Sequence, residues 1–164
     1  MTATLNSPSS SDDLSRWIRA GTLTAIVDGL FSTILTVVFY NSTATRLWQN
    51  VAFTVLGPAS FEGGLRTAAI GLLMHIGVAF GWSAVFLLLW RTEWIRSILD
   101  SPGGVLKVSA VYGPLIWMIM SCAVIPMLVH RPPSITYRWW VQLIGHWPFV
   151  GLPIVAMFAR RTPR

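Results

Sequence analysis

The sequence predicts an all-α integral membrane protein: a four-helix bundle with a short interfacial helix after the first span. Three observations carry this. Of 164 residues, 54% are hydrophobic and only 11% are charged, where a soluble domain carries roughly a quarter of its residues as charges. Mean hydropathy is +0.61. Four separate runs approach the ~20 apolar residues that cross a bilayer core, at about 20–40, 67–90, 108–129 and 139–159. A net charge of +6 and a pI near 10.8 do not make a nucleic-acid binder, because the Lys and Arg residues are spread thinly between apolar runs and form no patch. The expected surroundings are the lipid bilayer, a second copy of the chain or other membrane proteins.

The chain opens with "MTATLNSPSSSDDLSR", polar and Ser-rich, which reads as a disordered cytoplasmic tail over 1–16. Residues 17–161 then form a single transmembrane domain. The first apolar run follows Arg16 and Arg19, extends to Tyr40 and contains Asp28. A cleavable signal has an apolar centre of only about 7–15 residues, so this run is read as a retained span.

The segment "STATRLWQNVAFTVLGP" places Leu47, Val51 and Val55 at i, i+4 and i+8, with Ser42 or Thr43 as N-cap and Gly57–Pro58 as the stop. It predicts the interfacial helix, over about 43–56. "ASFEGG" turns into span two, where Gly77 and Gly81 form a GxxxG pair that permits close helix approach. In the last two spans Pro114, Pro126, Pro148 and Pro153 predict bends. The stiff loop "HRPPSITYR" makes spans three and four antiparallel neighbours. Trp17, Trp90, Trp94, Trp139 and Trp140 fall at span ends, as in an interfacial aromatic belt.

Orientation follows from the cations, which concentrate on the cytoplasmic side. Arg16, Arg19, Arg91, Arg96, Lys107, Arg160, Arg161 and Arg164 fall on one side, and only Arg46, Arg66, Arg131 and Arg138 on the other. Both chain ends are therefore expected inside.

Asp28, His75 and His146 are the ionisable residues within the apolar runs. A charge at a span centre costs about 2.5–3.5 kcal/mol on insertion scales, which makes such residues functional candidates. At 1.5 Å per residue, Asp28 lies roughly 3 Å to the cytoplasmic side of its span's midpoint, and the histidines roughly 5 Å to the outer side of theirs. Thr24, Asp28, Ser32 and Thr36 share one helix face, and Gln142 stands one turn from His146. The candidate intramembrane polar cluster is thus Asp28, His75, Gln142 and His146.

Three uses are open to it. It can join helices, at roughly 0.6 kcal/mol per interhelical hydrogen bond. It can relay a proton or ion, since imidazole changes charge near neutral pH. Finally, His75 and His146 resemble a bis-His haem or transition-metal pair. The leading expectation is a structural or interaction component with no cofactor. Catalysis is not expected: HExxH, GxSxG, P-loop and GxGxxG patterns are all absent. Cys122, the single cysteine, lies mid-span and reads as a small buried hydrophobe.

The stretches "MHIGVAF", "IPMLVHRPP" and "GHWPFVGLPIVAMFARR" resemble small bacterial four-span inner-membrane proteins and, more distantly, the YagU-like proteins. The matching positions are His75, Pro126, Pro132, Pro133, Gly145 and His146. The resemblance covers about residues 20–161. It implies this topology and a bacterial inner membrane, and it implies no mechanism.

Overall fold

The structure is a computed structural model that describes residues 10–159. Among the described residues every regular element is helical. Four helices are long and apolar enough to cross a membrane, Ser11–Phe39, Gly64–Trp90, Gly104–Val129 and Tyr137–Ala159, which fits a small multi-pass membrane protein.

The first, α1, is regular over Ser10–Ile34 and widens into a π turn at Leu35–Phe39. It therefore begins inside the stretch read as a disordered tail; residues 1–9 of that tail lie outside the described residues. Asp12 and Asp13 occupy the first turn, where acids favour the exposed N–H groups and the helix dipole. Asp13 also bonds Arg91 at 2.7 Å. The other spans likewise start earlier than their apolar runs do: α3 at Gly64, α5 at Gly104 and α6 at Tyr137. Backbone hydrogen bonding continues past the point where hydropathy falls.

Between α1 and α3 lies α2, Ala44–Leu56. Thr43 caps it by accepting from the Arg46 N–H at 3.1 Å, and Gly57 ends it at φ 60°, a conformation that favours glycine. The face that packs is not the expected Leu47, Val51 and Val55 stripe. Gln49 and Ala52 are the buried positions, while Val55 is 64% exposed. The reason is Gly71 in α3: a Cβ there would strike the Trp48 carbonyl and the Ala52 nitrogen, so the two backbones touch. Gln49 locks the pair by donating to the Gly64 carbonyl at 3.1 Å. Gly77 and Gly81, by contrast, have nothing within 4 Å of where a Cβ would stand. The GxxxG pair faces away from the packed surfaces, and the glycine that permits close approach is Gly71.

A further short helix, α4, spans Glu93–Leu99 in a loop for which the sequence reading expected no element. Thr92 caps it, accepting from the Ile95 N–H. Beyond it α5 and α6 pack antiparallel, as their short connection requires. Two glycines set this contact. A Cβ on Gly113 would overlap the His146 carbonyl, and one on Gly151 would overlap the Ser109 carbonyl.

Both helices contain a π turn, Met120–Val124 in α5 and Trp147–Gly151 in α6. Each ends two residues before a proline, Pro126 or Pro153, and the second also contains Pro148. A proline has no N–H and crowds the carbonyl four residues back. A wider turn at that point relieves the crowding.

The apolar core gathers at one end of the molecule. Phe86, Tyr112, Ile116, Ile154, Val155 and Phe158 are buried together there, and Tyr112 donates to the Trp82 carbonyl at 2.7 Å. Arg16 closes this end, donating to the Phe158 carbonyl at 2.9 Å and lying 5.1 Å from the Trp90 ring. The aromatic belt is thinner than expected. Trp17 donates inward to the Phe80 carbonyl at 2.9 Å, and buried Trp139 donates to Ser121 Oγ at 2.9 Å. An internal acceptor holds each indole N–H, so these two residues are packing elements. Trp94 and Trp140 remain exposed. Cys122, read as buried, is exposed as well, because Ser121 takes the inward position beside it.

Adding bulk where helices touch should be costly, and adding it on the outer face should not. Gly113→Val is expected to lower stability in detergent by about 2 kcal/mol or more through overpacking, while Gly81→Val should leave the thermal unfolding midpoint nearly unchanged.

Candidate functional site

The half of the molecule away from the apolar core holds Asp28, His75 and His146. Thr24 is buried in α1, and Asp28, Ser32 and Thr36 are half-buried on the same helix face. Across from Asp28 stands His75 of α3, with its Nδ1 3.8 Å from Asp28 Oδ2; each side chain is 14% exposed. The other ring nitrogen, Nε2, lies 3.1 Å from the Ala25 carbonyl. Gly29, one turn beyond Ala25 on α1, faces this imidazole and the Trp48 indole at ordinary contact distance.

His146 of α6 is buried, and its Nδ1 lies 2.8 Å from the Gln142 carbonyl. Asp28 interacts electrostatically with both histidines, and the histidines with one another. Asp28 and His75 thus form a pair contributed by two spans, and His146 is buried on a third. Gln142 meets His146 through its main-chain oxygen. Gln142 also lines a groove between α5 and α6.

The carbonyl partners fix the protons on both rings. A carbonyl oxygen only accepts, so His75 carries hydrogen on Nε2 and His146 carries it on Nδ1. Neutral His75 therefore turns a lone pair toward Asp28. If the carboxylate is also deprotonated, two acceptors face each other across 3.8 Å. One additional proton resolves this, whether it resides on the carboxyl or on the imidazole, and in both cases the pair is neutral overall. A net negative pair within the apolar region would be far more costly. Asp28 Oδ1, buried with no hydrogen-bond partner, adds to that demand.

Two indoles enclose the cluster, and the sequence reading singled out neither. Trp48 of α2 packs at a tilt against His75 with centroids 5.2 Å apart, and Trp117 of α5 against His146 at 4.9 Å. Phe31 and Phe149 stack at 4.1 Å between α1 and α6. The available signal was Trp48 four residues before a small Ala52 in a segment otherwise read as surface. Trp117 gave none, since its approach to His146 depends on Gly113 and the turn in α6.

From the far end a groove of about 440 Å³ runs down between α5 and α6 to Trp117 and Gln142. These are the residues that touch the His146 ring, so the groove reaches to within one side chain of the cluster. Among the described residues, no three His, Cys, Asp or Glu groups are arranged to hold a metal ion.

Comparisons with known protein families, curated proteins and solved structures find no match to this chain.

The carbonyl contacts lead to a spectroscopic expectation. Nitrogen-15 NMR of histidine-labelled protein at high pH should show His75 as the Nε2–H tautomer and His146 as the less common Nδ1–H tautomer. The reverse assignment for His146 would contradict the bond to Gln142.

Proposed function

We propose that this chain is a small multi-pass protein of a bacterial inner membrane whose Asp28–His75–His146 cluster takes up and passes on a proton. The observation that carries the reading is the Asp28–His75 pair, which faces a carboxyl oxygen to an imidazole nitrogen across 3.8 Å within the apolar region. A cluster that only joined helices would satisfy its polar atoms, because a buried polar group without a partner costs about 1–3 kcal/mol. Here Asp28 Oδ1 has none. The groove ending beside His146 supplies the opening from one side, and His146 is coupled to the pair electrostatically.

In this reading the four long helices form one antiparallel bundle, with both chain ends cytoplasmic. The cation distribution and the likeness to small four-span proteins support that orientation. Helix α2 lies at the outer boundary and dips inward along α3, so that Trp48 shields His75 from lipid. With four helices enclosing little space, a second copy of the chain is the expected partner.

A structural role is favoured by a different observation. Both imidazoles donate to main-chain carbonyls, and the bond from His75 ties α3 to α1. The two readings separate in liposomes. Under an imposed pH gradient, the proton reading expects a wild-type flux that falls to the level of empty liposomes in Asp28→Asn and His75→Ala, with the helix content of the purified variants unchanged. If wild-type protein shows no flux and the same substitutions unfold it, the structural reading stands instead. Orientation is checked independently: a reporter fused after Arg164 should be active in the cytoplasm.

A further inference from the structure

The mouth of the groove between α5 and α6, the groove that also leads toward His146, has a chemistry of its own. Its wall is apolar where it faces the membrane interior, with Ile125 and Val129 of α5 along it, and the Trp117 indole lies deeper. That indole's Nε1 is buried with no hydrogen-bond partner. At the mouth are Arg131 and Arg138. Neither forms an ion pair among the described residues.

No acidic residue lines the groove. Glu62 is the only acid in the segments that join helices at this end. Arg138 is also held in place: its guanidinium lies 4.3 Å from the Tyr40 ring, and its Nε donates to the Tyr137 hydroxyl at 3.1 Å. Its terminal nitrogens keep their donors for another partner. Two unpaired guanidiniums above an apolar channel complement a molecule with an anionic head and a hydrocarbon tail.

We propose that this groove binds an anionic glycerophospholipid, with its phosphate held by Arg131 and Arg138 and the start of one acyl chain lying along Ile125 and Val129. The volume of about 440 Å³ suits a headgroup and the upper part of a chain, within the usual range for ligand pockets. Arginine recognises phosphate through paired N–H donors, and basic pockets between membrane helices suit such headgroups.

The test uses the full chain in phosphatidylcholine nanodiscs, with brominated phosphatidylglycerol or brominated phosphatidylcholine added as quencher. The difference in tryptophan emission between wild type and Trp117→Phe isolates the indole in the groove. The proposal expects phosphatidylglycerol to quench that signal at roughly tenfold lower mole fraction than phosphatidylcholine, the preference that two interfacial cations supply. Arg131→Gln with Arg138→Gln should abolish the preference, and the paired Lys variant should retain much of it. Equal quenching by the two lipids overturns the proposal, as does a preference that survives the double Gln change. Displacement of the lipid by millimolar inorganic phosphate also overturns it, by assigning the arginines to a free anion. Loss of proton flux in Asp28→Asn leaves all of these outcomes unchanged.

Discussion

One carboxyl group inside an apolar helix, Asp28, sets the terms for half of this molecule. An ionised side chain there is costly unless neighbouring groups neutralise it or complete its hydrogen bonds. The protein brings His75 to 3.8 Å and His146 within electrostatic reach. These arrive on two other helices, so α1, α3 and α6 must meet at one level. Each histidine in turn needs an acceptor for its second nitrogen. Main-chain carbonyls of Ala25 and Gln142 provide them, which fixes both tautomers without adding another ionisable group.

Bringing the helices this close depends on residues that carry no chemistry. Gly71 lets α2 rest directly on α3, and that contact carries Trp48 to His75. Gly113 lets α5 rest on the His146 carbonyl, which brings Trp117 onto the imidazole. The π turns work in the same direction. Trp147–Gly151 follows directly after His146, so the α6 backbone widens next to the buried ring and beside two prolines. The molecule therefore divides its labour along its length. Close-packed Phe, Ile and Val side chains stabilise the end near Arg16 and Phe158, while the opposite half holds the polar cluster and the groove.

Much of this was legible in the chain. The four spans could be read because apolar runs of bilayer length leave few alternatives. Thr43 and Gly57 marked the ends of α2 through capping and positive φ. Asp28, His75 and His146 stood out because ionisable groups are rare in such runs, and Asp28 and His75 stand 3.8 Å apart. Other features misled for a physical reason. Gly77 and Gly81 have the spacing of a helix contact, yet no neighbour approaches them. Trp17 and Trp139 sit near helix ends, where an aromatic belt is expected, but each finds an internal acceptor for its N–H. The apolar stripe of α2 gave way to Gln49 and Ala52, since in a mostly apolar chain the amphipathic face no longer marks the buried one.

The sequence by itself determined the class, the number of membrane-length helices, the caps of the short α2 and the identity of the ionisable residues within the long helices, because solvation and backbone hydrogen bonding act along the chain. Tertiary structure decided which glycines lie at contacts, which indoles cover the histidines, which nitrogen of each ring carries hydrogen and how far the α5–α6 groove penetrates. Those properties belong to pairs of helices, and in an apolar environment hydrophobicity no longer distinguishes one helix face from another. Only the shapes that fit together do.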